Sequence, residues 1–477
     1  VKNKVNGKSK YDVLVIGSGI SGLTAALLFA KDGKKVAIVE QSPHIAPLIC
    51  GFDRRGVHFE TGFHYSAGCG KDGIGIKMLK ELGIEIPFEL CEDESYDEIR
   101  ILDKNKSVKI PFEKLKLEQK LAELFPKEKE NIKKYLDLIE NTKKKISFLY
   151  KDVKDLSHDE LLNFSDNGKT LQNVLDECFT DNDLKALLAH SYILYGTPPS
   201  KVSFAVHCCC VSLMMDSVWK IRGGGRALVS AFSEALRKNN VDVFTNKKAV
   251  KIETDGNEKT ICFEDGARMK CDFCVSSVHP KEFIKMAPEG VYRANAAKRI
   301  KDIEETPAFF VLYGILRDSK KYKCSNIAFV NTADYARPLY SGEVLPAYIN
   351  FSDTDPQSVC VVAFVKPDKI YWDRNMPEYE EKKQKTAKEI KDKFAKIAPE
   401  IASKIEYCDI ATPATFKKYV NYYSGYGIMH ASDGVNVLPV TKIPGIFLTG
   451  QAVVTPGLLG ALISSFLLYK IIERDGR

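Results

Sequence analysis

Gly17, Gly19 and Gly22, carried in Tyr-Asp-Val-Leu-Val-Ile-Gly-Ser-Gly-Ile-Ser-Gly, have the types and spacing that close a backbone around a diphosphate. Gly17 permits a tight turn, Gly19 lets backbone N–H groups approach the phosphates at the positive end of a helix, and Gly22 lets that helix lie close to its strand. The elements that must position them are legible on either side. Tyr11 to Ile16 is apolar enough for a central parallel strand, and Leu23 to Ala30 continues as an apolar helix ending near Lys31-Asp32-Gly33. A second strand, Lys35 to Glu40, ends in a carboxylate about twenty residues past the first glycine, where an adenosine ribose would hydrogen-bond. Together these predict a bound dinucleotide.

At 477 residues the chain is too long for one compact core, so two domains are expected. The net charge of +7 comes from lysines spread along helices without aromatic companions, which argues against nucleic acid and leaves a mildly basic face that suits an anionic membrane surface. The 13 cysteines are scattered and no export signal precedes them, so they read as reduced thiols of a cytoplasmic protein. Cys271-x-x-Cys274 has no second pair to complete a metal site, and in a straight strand the two would face opposite ways, so no metal is expected. Cys208-Cys209-Cys210 reads as small buried hydrophobes. The first ten residues read as a polar tail, and Leu458 to Ile472, broken by Gly460, Ser464, Ser465 and Lys470, as a buried helix.

Beyond Gly83 helical periodicity takes over, with leucines and isoleucines from Phe112 to Tyr150 recurring at spacings of three and four around a break at Phe125-Pro126. Helical character continues from Leu171 to Ala189. Arg222-Gly223-Gly224-Gly225-Arg226 opens the helix Ala227 to Lys238, and strands follow near Val241–Phe244, Lys247–Glu253, Ile261–Glu264 and Phe273–Ser277. No separate nicotinamide domain is visible. Strands near 308–315, 327–330, 348–351 and 359–365, with a helix over 377–398, form a mixed sheet, and Ile446 to Gln451 is a last buried strand.

Four stretches occur in order: the glycine fingerprint, Phe52-x-x-x-Gly56-x-x-Phe59-Glu60-Thr61-Gly62-Phe63-His64-Tyr65, Trp219-x-x-Arg222-Gly223-Gly224, and Leu448-Thr449-Gly450-Gln451 with Gly457-Leu458-x-Gly460-Ala461. With them the chain resembles the FAD-dependent phytoene desaturase, carotenoid isomerase and retinol saturase family of amine-oxidase-like flavoproteins, nearest the retinol saturase branch. The resemblance implies that Gly17, Ser18, Gly19 and Gly22 hold the FAD pyrophosphate, that Glu40 binds the adenosine ribose, and that Val250 offers its backbone to the adenine. It places Gly450 and Gln451 by the pyrophosphate and ribityl chain. Gly457 and Leu458 then present N–H groups at a helix start to the flavin pyrimidine edge, where reduced flavin carries negative charge. One stretch departs from the pattern: Gln41 to Gly51 lacks the Gly-Gly-Arg-like turn that usually closes over the pyrophosphate, so FAD is expected to be held differently there.

The fold expected is α/β, a Rossmann-type FAD-binding domain of three segments (10–83, 216–290 and 411–477) joined to a mixed α+β substrate domain, helical over 84–215 and sheet over 291–410. His64 and Tyr65 are the candidates for proton transfer, and Trp219, with Lys220 beside it, and Tyr422, Tyr423 and Tyr426 for the substrate wall. His430 reads as structural. The lysine-rich helices from Phe112 are either a lid that admits a lipid or a solvated face. The function expected is redox chemistry at carbon–carbon double bonds of an apolar, isoprenoid or polyene-like substrate, by saturation, desaturation or isomerisation, with a reduced electron carrier as partner of a saturase. Two alternatives stay open, amine or amino-acid oxidation and a flavin- or lipid-binding protein whose FAD is structural.

Overall fold

The computed structural model describes residues 10–91, 95–146, 168–318, 321–322, 326–331, 335–336, 339–340, 342–434 and 437–474. The apolar run Lys10–Ile16 is the centre of a parallel sheet, with Val36–Val39 and then Asp242–Phe244 on one side and Arg268–Ser276 and then Ile446–Leu448 on the other. Register decides what this sheet can do. Ile16 lies opposite both Val39 and Ser276, Val39 opposite Phe244, and Ser276 opposite Leu448, so five carboxyl ends meet at one edge. Gly17, Glu40, Ser277 and Thr449 leave the sheet there, which is where a parallel sheet binds its ligand. Three separated stretches of chain thus build one sheet. The antiparallel strands Ala249–Asp255 and Glu258–Phe263 extend it.

One face is covered by the helices Ile20–Lys31, Gly224–Lys238 and Leu458–Arg474, which share a core with Val13, Val15 and Val275. Leu458–Arg474 is therefore a buried helix, and among the described residues no helix is long and apolar enough to cross a membrane. The amides of Asp12 and Val13 both donate to Lys35 O, and Asp12 drops out of the pairing with the next strand. One expectation is corrected there: Cys271 and Cys274 end in the same apolar cluster instead of facing opposite ways. Burial pushes the Cys271 thiol up to about 12 and that of Cys274 well above its usual value, so both are inert hydrophobes.

A second sheet runs in the order Ile405–Ala411, Ala308–Leu316, Ser358–Val365, Pro346–Phe351, Asn326–Val330, Ser95–Ile101 and Lys106–Pro111. Its last two strands fall in the stretch read as helical; Ser95–Ile101 pairs in parallel with Asn326–Val330, a contact between residues far apart in the chain. The helix Tyr379–Ile397 covers one face through Ala387, Ile390 and Phe394. The other face looks toward the nucleotide-binding sheet. A helical layer of Lys114–Leu124, Lys129–Lys143, Leu171–Cys178, Asn182–Ala189 and Phe204–Asp216 closes the side around the buried Tyr135 and Leu136. The break at Phe125-Pro126 is present; the end of that periodic stretch, 147–150, lies outside the described residues.

Glu128 holds this layer together. Its Oε1 accepts from Thr180 N (2.9 Å), Thr180 Oγ1 (2.9 Å) and Asp181 N (3.1 Å), and its Oε2 from Asn131 Nδ2 (2.7 Å). Asp181 in turn caps the helix Asn182–Ala189 through the amides of Asp183 and Leu184. Glu128→Ala leaves four donors without their acceptor, and urea unfolding should show a loss of about 3 kcal/mol; an unchanged midpoint would remove this role.

Candidate active site

A continuous cavity of about 660 Å3 runs from the carboxyl edge of the first sheet to the face of the second that no helix covers. At its nucleotide end the glycines have distinct jobs. A Cβ on Gly17, whose φ is +95°, would overlap Ser277 Oγ, and one on Gly22 would overlap the Gly17 carbonyl oxygen. A Cβ on Gly19 would meet nothing within 4 Å, because that position opens on the cavity at the N-cap of Ile20–Lys31. Gly457 is equally open, with φ +100°, just before the helix Leu458–Arg474. Gly450 leaves its strand at φ +114°, its N–H donating to Ser464 Oγ (2.9 Å), while Ser465 Oγ donates to Ser21 O (2.8 Å). Buried hydroxyls of the last helix thus tie the two glycine turns together.

Glu40 is buried yet lines the cavity. Its Oε2 accepts from Ser18 N (2.8 Å) and Ser18 Oγ (2.7 Å), and its Oε1 from Ser42 N (2.8 Å). A carboxylate has about four acceptor sites, so one is left for a ligand hydroxyl. In place of a glycine turn, Ala46 takes φ +45°, donates its N–H to Ser18 O (3.0 Å) and brings Ala46, Pro47, Leu48 and Ile49 to the wall as an apolar strap. His279 accepts from Lys281 N (3.3 Å) at Nδ1, so Nε2 carries the proton; that buried Nε2 makes no hydrogen bond within the protein, Glu305 Oε1 lying 4.0 Å away, and the residue lines the cavity. Burial lowers its pKa to about 4. Open glycines at two helix starts, a carboxylate with spare capacity and a donor without a partner fit a dinucleotide.

At the far end the wall is apolar and aromatic, with Leu213, Met214, Phe309, Val311, Val362 and Phe416 among its residues. Beside it sits a polar cluster, of which His64, Tyr65 and Asn326 reach the cavity. Tyr65 Oη lies 3.0 Å from Asp97 Oδ2, Asn326 Nδ2 donates to Asp97 Oδ1 (2.9 Å), and Asn326 Oδ1 accepts from Asn350 Nδ2 (3.1 Å) and lies 3.2 Å from His64 Nδ1. With the Asn326 oxygen turned toward it, His64 carries its proton on Nδ1, and burial lowers its pKa to about 4, so the ring is neutral near pH 7. The cluster follows from register: Asp97, Asn326 and Asn350 sit opposite one another on three neighbouring strands. Asp97 is fully buried, and that burial raises its pKa to about 7 against the hydrogen bonds from Asn326 and Tyr65.

The profile of the flavin containing amine oxidoreductase family matches residues 20–464. The chain belongs to that family. It is 24% identical to the all-trans-retinol 13,14-reductase of Rattus norvegicus, over 96% of this chain and 85% of that one, and 23% identical to the 4,4'-diaponeurosporene oxygenase of Staphylococcus aureus, over 88% and 87%. Among solved structures, an oxidoreductase from Methanosarcina mazei superposes with a TM-score of 0.68 at 14% identity, covering 96% of this chain and 99% of that one, a likeness of fold. The chain is an FAD-dependent oxidoreductase of the retinol saturase and carotenoid desaturase-like branch.

Within this flavoprotein, Gly17, Ser18, Gly19, Glu40, Val250, Gly450, Gln451, Gly457 and Leu458 all reach the cavity, as do His64, Tyr65, Tyr422 and Tyr426. Gly22 does not, since it packs helix against strand. Gln451 Nε2 donates to Tyr422 Oη (3.0 Å), whose pKa burial raises to about 12. Near Gln451, His430 is structural as expected: its Nε2 donates to Gln451 O (2.9 Å). Two expected wall residues are elsewhere. Trp219 pairs with Ser66 and Leu90 in a small sheet and donates to Ser217 Oγ (2.7 Å); Tyr423 points to the helix-covered face of the second sheet, under Lys417. A Tyr-Tyr-x-x-Tyr loop cannot send all its rings one way, and a strand residue such as Trp219 goes where the pleat sends it. Unread in the sequence were His279, Asp97 and Asn326. The signal available was an acid and two asparagines inside otherwise strand-forming runs, where such residues are depleted.

Proposed function

We propose that this flavoprotein acts on carbon–carbon double bonds of an apolar, isoprenoid or polyene-like substrate, and that saturation is its direction. The observation that carries this reading is the far end of the cavity, an apolar and aromatic trough whose polar groups, Tyr65, His64 and Asn326 among them, are few and gathered at one place. The similarity to retinol 13,14-reductases over almost the whole chain supports the direction. Bound along the glycine edge, FAD supplies hydride chemistry to an apolar carbon.

The protein's own share is binding, dryness and a proton. The N–H groups at Gly19 and Ile20 would hold the phosphates, Glu40 would take a ribose hydroxyl, and the amides after Gly457 would face the pyrimidine edge at the positive end of a helix. The strap Ala46–Ile49 and the aromatic wall keep water from the reacting carbons. Tyr65 gives the proton that completes a saturated bond, while neutral His64 shapes the wall and holds Asn326. A small reduced carrier supplies the electrons.

Anaerobic reduction of the purified holoprotein followed by all-trans-retinol or a carotenoid extract tests this. Reoxidation of the flavin with loss of substrate absorbance is the expected result, and Tyr65→Phe should slow it at least about 100-fold, within the usual contribution of a positioned acid. Peroxide formation with amines and inertness toward polyenes would overturn it in favour of amine oxidation; a flavin that neither class reoxidises or reduces would favour a structural FAD.

A further inference from the structure

Asp97 lies behind the cavity wall, fully buried, and makes no contact with the space a substrate would occupy. We propose that Asp97 is a positioning residue that decides which way the Tyr65 hydroxyl points, and so whether the trough offers a substrate carbon a proton donor or a proton acceptor. This rests on the double-bond reading above.

Tyr65 Oη reaches both carboxylate oxygens, 3.2 Å from Oδ1 and 3.0 Å from Oδ2, and the Asn326 amide is what distinguishes them. Oδ1 accepts the Asn326 amide (2.9 Å), and Asn326 cannot turn over because its own oxygen serves Asn350 and His64. An N–H selects the carbonyl-type oxygen of a protonated carboxyl, so the acidic hydrogen belongs on Oδ2, the oxygen 3.0 Å from Tyr65 Oη. His190 donates through Nδ1 to Leu187 O (2.7 Å), so its Nε2, 3.9 Å from Oδ2, carries the lone pair and adds no positive charge there. The groups around Asp97 are therefore Tyr65 from the chain after Gly62, neutral His190 from the short helix His190–Leu194, Asn326 from one neighbouring strand, Tyr348 and Asn350 from the strand beyond it, and the apolar Ile110 opposite on the other neighbour, with Lys220 acting only as far as His64. None supplies a cation in hydrogen-bond contact with the carboxyl, in keeping with an acid that titrates near 7.

Two states follow. Protonated on Oδ2, Asp97 donates to Tyr65 Oη, and the phenol turns its own O–H into the trough. Ionised, Asp97 takes the Tyr65 hydrogen, and the phenol shows lone pairs to the substrate. In saturation a C–H bond forms as the Tyr65 O–H breaks, and the Asp97 proton moves to the phenol oxygen, leaving a carboxylate held by Asn326 and Tyr65. The charge thus ends on the weaker base. The hydride and its electron pair come from reduced FAD, reloaded by the external reductant, and water reprotonates Asp97 after product leaves. Run backwards, the ionised state is the one that removes a proton, so the same pair favours saturation below its midpoint and desaturation above it.

The test is infrared spectroscopy of the holoprotein from pH 6 to 9, with the carbonyl band of the protonated carboxyl isolated as parent minus Asp97→Asn. The expected band fades with a midpoint near 7, and in Tyr65→Phe both its frequency and its midpoint move. Absence of a titrating band, or a band indifferent to Tyr65→Phe, overturns the proposal. If Asp97→Asn does not fold, parent against Tyr65→Phe decides in the same way. With dithionite-reduced enzyme and all-trans-retinol, parental turnover should fall about tenfold per pH unit above 7, and Asp97→Asn should be slow and flat; a parental profile in Asp97→Asn overturns it. A titrating band that responds to Tyr65→Phe, with no polyene turned over, would sink the double-bond reading and leave the Asp97–Tyr65 pair standing.

Discussion

On acidification the protein should unfold cooperatively between about pH 6 and 4.5, from buried histidines that the fold keeps neutral. Burial lowers His64, His190, His279 and His430 to about 4 and His207 to about 3, against 6.5 for a free ring. A lowered histidine contributes stability that is present above the unfolded value and lost as pH falls toward the folded one. Between 6.5 and 4 the unfolded chain binds five protons that the native state refuses, a loss of up to about 7 kcal/mol per pH unit once every free ring is charged. Asp97 opposes this: raised from 3.8 to about 7, it costs stability as pH rises through that window and returns about 1.4 kcal/mol per unit on acidification. The net fall, about 5 kcal/mol per unit, exhausts a typical stability of about 5 to 15 kcal/mol within one to three units. The two hydroxyls at His207, Tyr135 Oη at 3.2 Å and Tyr195 Oη at 3.0 Å, leave no water to solvate a second proton, so this ring should be the last to charge without unfolding. Circular dichroism against pH at fixed ionic strength checks it. Native signal retained at pH 4.5 would mean that water reaches these rings.

The nucleotide half of this site was legible because its geometry is local. Gly17, Gly19 and Gly22 act within one turn of chain, and the acid that answers them stands at the end of the next strand. Even the third segment could be placed, since an apolar run ending in Thr449-Gly450 followed by a glycine helix start has few other uses. The strap over the phosphates was legible as a departure but not as a shape: nothing in Gln41 to Gly51 announces that Ala46 takes a left-handed turn to reach Ser18 O. The chemical half was hidden for a different reason. Asp97 meets Asn326 and Asn350 through pairing with a strand 229 residues away in the chain, and a shift of one residue in that register would send Asp97 to the face opposite the two asparagines. His64 and Tyr65 could be named because they adjoin a recognisable motif, whereas the acid that controls Tyr65 could not.

Gly19→Ala and Gly22→Ala should fail in opposite ways, and the contrast separates the fold from the ligand. Gly22 lies where Ile20–Lys31 crosses the strand Lys10–Ile16, and a methyl there overlaps the Gly17 carbonyl oxygen, a backbone atom held by its turn. Relief requires moving the helix off the central strand of a core in which Val13, Leu23 and Leu27 are fully buried, so a loss of about 3 kcal/mol or more is expected, with flavin lost as a consequence. Gly19 has φ −62° and ψ 168°, a conformation alanine adopts without strain, and its methyl would meet nothing within 4 Å. That methyl stands in the cavity, on the path by which the first N–H groups of the helix approach a phosphate. Gly19→Ala should therefore fold with parental stability, within about 1 kcal/mol for the changed N-cap, and bind FAD at least about 100-fold more weakly, a difference of roughly 3 kcal/mol. Unfolding of the flavin-free proteins and fluorescence titration with FAD read the two effects apart. If Gly19→Ala retained parental affinity, the pyrophosphate would not lie on this helix start, and the strap Ala46–Ile49 would be the surface that holds it.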